Sequence, residues 1–292
     1  MKKIVFFLFT IVIHSGFSQN LVLNHSVGSD SFLLKDKKIT FYNSDVYNLT
    51  LKKELIIAAP IAVLLVTDYF TESKSITSED LAQLNLNDVP WFERHIIYFD
   101  TTTAARAGEL SDILNKSTLL LGITSIAIPI GDFQEILTNF ILYYEGMSIN
   151  SGLTDILKKT VGRVRPYAYN TTFSDTYRLH GAVTSSFPSG HSSSSAFSCF
   201  FAAKMIDDYL IDDNNRILKT INWTSAALIP AWVGYLRMAA GVHFLTDVAG
   251  GYLIGASCGF FIPAIHRINN ENISITPAFG LEGSGISCTI KF

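Results

Sequence analysis

Three short stretches carry side chains that suit phosphoryl chemistry. In "KKTVGRVRPYAY", Lys158 and Arg165 are seven residues apart, so two helical turns put both cations on one face before Pro166 takes the chain out of helix. In "SSFPSGHSSSSAF", Pro188-Ser189-Gly190-His191 reads as a capped helix start. Such an end offers free N–H donors to an anion, with Gly190 allowing close backbone approach. In "YLRMAAGVHFLTDVAGG", Arg237, His243 and Asp247 sit between two apolar runs. The four-residue step from His243 to Asp247 lets a carboxylate meet an imidazole and leave its other nitrogen with an outward lone pair. Each piece alone has an ordinary explanation, as a cap or as cations at a helix C-terminus. Together they place three cations, two histidines and a carboxylate beside apolar segments, where an unpaired charge is costly.

Elements that could position these groups are apolar and closely spaced. Runs at 117–130, 135–157, 190–207, 220–240 and 245–265 lack sustained alternation and read as helices, preceded by "ELIIAAPIAVLLVTDYF", Glu54 to Phe70. The expected fold is all-α: a bundle of about six apolar helices, membrane-embedded, with "ISITPAFGLEGSGISCTIKF" as a short C-terminal hairpin-like tail. Several runs are short for a span or carry Pro, Asn and Ser, so a buried helical bundle is the alternative. "SITSEDLAQLNL" opens like a capped helix inside a region, 71–116, that suits a membrane surface or one side of the bundle.

Composition agrees with a membrane setting. Of 292 residues 48% are hydrophobic, and mean hydropathy is +0.29. A net charge of −3 from 22 basic and 25 acidic residues, with no basic tract, gives no reason to expect a nucleic-acid partner. Cys199, Cys258 and Cys288 have neither CxxC spacing nor paired histidines, which argues against zinc or a disulfide framework. His25, His95 and His266 show no convergent partners in the sequence, and His180 reads as a solvated loop residue. The N-terminus, "MKKIVFFLFTIVIHSGFSQ", has the two lysines, apolar stretch and small residues of a signal peptide cut after Ser18. The expected division is therefore 1–18 signal, 19–53 polar segment, 54–116 apolar helix plus amphipathic region, 117–266 catalytic helical domain and 267–292 tail.

The order Lys158-x6-Arg165-Pro166, Pro188-Ser189-Gly190-His191, Arg237-x5-His243-x3-Asp247 resembles the three-part signature of the type-2 phosphatidic acid phosphatase superfamily. That superfamily also holds bacterial non-specific acid phosphatases and vanadium-dependent haloperoxidases. One position departs, Leu236 standing where the family commonly has Ser before the third-motif Arg. The resemblance implies that His243 attacks phosphorus to form a phosphohistidine, with Asp247 orienting its ring. His191 protonates the leaving oxygen and then deprotonates water. Lys158, Arg165 and Arg237 neutralise phosphoryl oxygens, aided by N–H groups of Ser189 and Gly190. Three fixed cations can stabilise phosphoryl transfer without a metal or other cofactor.

The expected function is an exported, membrane-bound phosphatase acting on a phosphate or diphosphate monoester of a membrane lipid, such as phosphatidate, polyprenyl diphosphate or lipid A. Its active site would face the periplasm or exterior, and no protein partner is implied. Alternatives are a soluble or peripheral periplasmic enzyme, a vanadate-dependent haloperoxidase, and a non-catalytic lipid-phosphate-binding envelope protein.

Overall fold

The computed structural model describes residues 40–43, 46–268, 273–280 and 283–290. The expected signal segment lies outside them. Six long helices make the body: α1 (Leu51–Phe70), α2 (Thr101–Ser125), α3 (Phe133–Val161), α4 (Gly190–Leu210), α5 (Arg216–Ala239) and α6 (Leu245–His266). Five of the six lie close to the apolar runs. The exception is α2, which starts well before Ser117. Its first half, "TTTAARAGELSDILNK", is polar enough to hide in a hydropathy reading, yet Asp100 caps it by accepting from Thr103 N–H at 2.8 Å.

Capping explains the other starts. Asp132 accepts from the N–H groups of Gln134 (2.9 Å) and Glu135 (3.1 Å) to open α3, and Asn215 accepts from Leu218 N–H (3.1 Å) to open α5. Helix α3 stops at Gly162, whose φ of 62° is left-handed and open to glycine at little cost. The short helix Ser78–Ala82 is closed by a reciprocal cap between Thr77 and Asp80.

Helices α4 and α6, which carry the second and third motifs, form the tightest pair. A Cβ at Gly251, Gly255 or Gly259 of α6 would lie 2.3, 2.0 and 2.4 Å from the carbonyl oxygens of Ser189, Ser193 and Phe197 on α4. Glycine every fourth residue lets the two backbones touch, a packing typical of helices in lipid. The serines after His191 extend this stitching. Ser193 donates to Asn150 Oδ1 on α3 at 2.5 Å, and Ser194 to Asn115 Oδ1 on α2 at 2.8 Å. Apolar packing completes the body around Leu142, Phe197, Phe201 and Met205. Cys199 and Cys258 are buried free thiols.

The hairpin expected at the C-terminus gains no support as part of the fold. Ile273–Gly280 and Gly283–Ile290 pair only with each other, and their side chains lie outside the described residues.

Candidate active site

The bundle gathers the three motifs at one end, where α3 finishes and α4 and α6 begin. Lys158 reaches over the start of α4, its Nζ 2.9 Å from where a Cβ on Gly190 would stand. A side chain there would push that ammonium aside. Arg165 clips the surrounding loops: Nε donates to Ala182 C=O (3.0 Å), Nη1 to Val242 C=O (3.3 Å) and Nη2 to Ser185 C=O (3.3 Å). Arg237 Nη1 donates to Ser111 Oγ (3.1 Å) and Asp112 Oδ1 (3.2 Å) on α2. Its Nε is buried without an acceptor, and an anion there would satisfy it. Lys158 and Arg237 lie within electrostatic range of His191, and Arg165 and Arg237 within range of His243.

His243 is 2% exposed. Its Nδ1 is 2.7 Å from the Ser186 carbonyl oxygen, which can only accept, so Nδ1 carries the proton and Nε2 keeps its lone pair. The partnership expected with Asp247 takes the form of a contact at ion-pair range rather than a short hydrogen bond. Asp247 Oδ2 stands 3.8 Å from Nδ1, beyond hydrogen-bond reach, because the carboxylate is filled by other donors. Ser186 Oγ–H (2.5 Å) and Phe244 N–H (2.8 Å) donate to Oδ2, and Arg163 Nη1 to Oδ1 (2.5 Å). Asp247 thus holds the loop that holds the ring. Burial pulls the His243 imidazole down to about 4; Arg165 and Arg237 add to the fall, and Asp247 opposes it.

Ser189 is engaged differently from the expectation. Its N–H, expected to face an anion, donates instead to the Asp247 main-chain carbonyl at 2.9 Å. Its fully buried hydroxyl accepts from Ser192 N–H (3.4 Å) and from Ser192 Oγ (3.0 Å). Ser189 is the cap that ties α4 to α6, and Gly190 is left as the backbone contributor at this helix end. His191 Nε2 lies 2.8 Å from Asp112 Oδ1. Leu236 packs into an apolar seam with Ala107 and Ala240.

Four residues here have no place in the sequence reading: Asp112, Ser186, Arg163 and Glu93. Glu93, fully buried, accepts from Arg163 Nη2 (2.6 Å), Thr246 N–H (2.8 Å) and Thr246 Oγ1 (2.9 Å), and Arg163 also lies over the Phe244 ring at 4.4 Å. Arg163 sits inside the first motif string, but Glu93 and Asp112 come from the region read only as a cover. No local pattern marks them. The exposed His180 side chain and the Tyr167 hydroxyl, which donates to the His180 carbonyl at 2.7 Å, build the neighbouring loop.

The PAP2 superfamily profile matches residues 139–271. A PA-phosphatase related-family protein of Dictyostelium discoideum is 34% identical over 125 residues, 41% of this chain and 45% of that protein. Phosphatidylglycerophosphatase B of Bacillus subtilis (strain 168) is 33% identical over 113 residues, 38% of this chain and 49% of its own. The chain spans about half the length of the curated relatives it matches. The crystal structure of the first transmembrane PAP2 type phosphatidylglycerolphosphate phosphatase from Bacillus subtilis superposes with a TM-score of 0.40 at 21% identity, covering 74% of this chain and 94% of that one. Residues 139–271 contain all three motif clusters, from Lys158 to Asp247, and it is over this stretch that the chain matches the PAP2 superfamily profile.

Proposed function

We propose that the protein hydrolyses a phosphate or diphosphate monoester on a membrane lipid, with His243 as nucleophile and without a metal in the reaction. The observation that carries this reading is the fixed tautomer of His243, a buried neutral imidazole with its Nε2 lone pair available within range of Arg165 and Arg237. Nε2 attacks phosphorus as the ester oxygen leaves. His191, whose Nε2 faces the acceptor Asp112, gives the leaving oxygen its proton and then takes one from the water that attacks the phosphohistidine. Lys158, Arg165, Arg237 and the Gly190 N–H take the charge on the phosphoryl oxygens. Asp247 and Ser189 act through position.

A lipid substrate and a membrane setting are supported by where polarity lies. Ser192, Ser193, Ser195, Ser198, Asn139, Asn150 and Thr154 are buried, whereas Val63, Leu120, Ile217, Leu228, Trp232 and Leu253 are exposed on the outer faces of the helices. That distribution suits an apolar solvent. Among the described residues one helix, Leu245–His266, is long and apolar enough to cross a membrane. The reading includes export, with the phosphate-binding end facing the periplasm or exterior.

The test is phosphate release in detergent from phosphatidate, phosphatidylglycerophosphate, polyprenyl diphosphate, lipid A and soluble monoesters. Wild type is expected to turn over at least one lipid. His243→Ala should lose at least about a thousandfold, and wild type quenched in turnover should hold acid-labile, base-stable phosphate. Absence of release across the panel overturns the reading.

A further inference from the structure

His266, far from the phosphate-binding end, has two partners that the sequence conceals. It is the last residue of α6 and fully buried, and it meets Glu54 from the first turn of α1 (6% exposed) and Glu145 from the middle of α3 (3% exposed). Its Nδ1 lies 2.8 Å from the Ile262 carbonyl oxygen, so Nδ1 carries a proton. Nε2 then points between two carboxylates, 3.2 Å from Glu54 Oε1 and 3.9 Å from Glu145 Oε2. One potential ligand atom from each residue falls within 4.8 Å of the others. The buried Glu145 Oε2 has no hydrogen-bond donor.

A proton on Nε2 meets Glu54 but not Glu145 Oε2 at 3.9 Å, which is then met only if the two carboxyl groups share a second proton, and a buried acceptor without a donor is expensive. A divalent cation meets all three. Ligand atoms about 2.0–2.2 Å from one ion stand roughly 3–4 Å apart, as the histidine does from each carboxylate, and the three atoms together lie within 4.8 Å of one another. An imidazole whose other nitrogen donates to a main-chain carbonyl is also the usual arrangement of a metal-bound histidine. One nitrogen and two carboxylate oxygens suit Zn²⁺ or Mn²⁺ better than the all-oxygen shells of Ca²⁺ and Mg²⁺. From Asp247 to His266 the helix rises roughly 28 Å at 1.5 Å per residue, so this cluster is separate from the phosphoryl site.

We propose that Glu54, Glu145 and His266 hold one divalent transition-metal ion that pins α1 to α3 and α6. The ion sits beside the apolar contacts of Ile57 and Ile61 with Ile262 and locks the first helix against the bundle. This inference is independent of the reaction at His243.

The experiment uses the full chain in detergent, stripped with a chelator and dialysed against Zn²⁺, Mn²⁺ or Mg²⁺. Elemental analysis should then find one equivalent of Zn²⁺ or Mn²⁺ per chain, and Tm should rise by several degrees over the stripped protein. Glu145→Gln and His266→Gln should each weaken binding at least about tenfold. Co²⁺-loaded wild type, which needs no variant to fold, should show d–d bands and imidazole ligation. Lack of stoichiometric metal in wild type, unchanged binding in the variants, a shift with Mg²⁺ alone, or Co²⁺ without imidazole would each overturn the proposal.

Discussion

At the scale of single residues, the site depends on tautomer and burial as much as on residue type. The carbonyl of Ser186 fixes the proton of His243 on Nδ1, and burial keeps the ring neutral to about pH 4. Between about 6.5 and 4 the unfolded chain binds a proton at this histidine that the folded chain refuses. His243 therefore contributes full stability above about pH 6.5 and loses that contribution as pH falls toward 4. His243→Asn can keep an N–H to Ser186 and cannot titrate. Thermal melts should show wild type losing more Tm than His243→Asn between pH 7 and pH 4.5; equal losses would place the acid sensitivity elsewhere.

The Glu93–Arg163–Asp247 chain belongs to the same scale. Glu93→Gln preserves shape but replaces a fully buried carboxylate that accepts from both Arg163 and Thr246. The expected cost is about 2 kcal/mol. Because the chain holds Asp247, and Asp247 holds the loop under His243, kcat should fall more than KM rises if the proposed reaction is right. Chemical denaturation and steady-state kinetics on one variant read both effects.

Among elements, the pairing of α4 with α6 decides whether the second and third motifs, with His191 and His243, come together at one end of the bundle. The α6 glycines make that pairing possible, and Gly255 is the tightest of them. Gly255→Leu must push backbone from backbone, and a loss of about 3 kcal/mol or more is expected. Gly108 in α2 is the matching control. A Cβ there would lie 3.9 Å from Ala240 Cβ, an ordinary contact, so Gly108→Ala should hold or raise Tm through helix propensity, by up to about 1 kcal/mol. Unfolding measurements in one detergent compare the two.

For the whole molecule, serines and amides are buried among the apolar core residues while many aliphatic side chains stand on the outside. Its two ends carry different clusters. Lys158, Arg165, Arg237, His191 and His243 meet at one, and Glu54, Glu145 and His266 at the other. Helices α3 and α6 join the two, since Lys158 and Glu145 share the first and Asp247 and His266 the second.

The sequence by itself determined the helical class, most helix positions and the three motif clusters. These rest on local physics: apolar runs without alternation, caps, and cations or imidazoles held at short fixed spacing. Tertiary structure alone decided who partners whom. Asp247 looks like the partner of His243 because they are four residues apart, yet the Ser186 carbonyl is the nearer acceptor for His243 Nδ1, and Asp247 stands 3.8 Å away accepting from Ser186, Phe244 and Arg163. Ser189 looks like an anion donor, yet the close approach of α6 claims its N–H. Glu93, Asp112 and the Glu145–His266 pair were illegible because their partners lie tens to over a hundred residues away, and a carboxylate in an ordinary helix or loop carries no local mark of what will be packed against it.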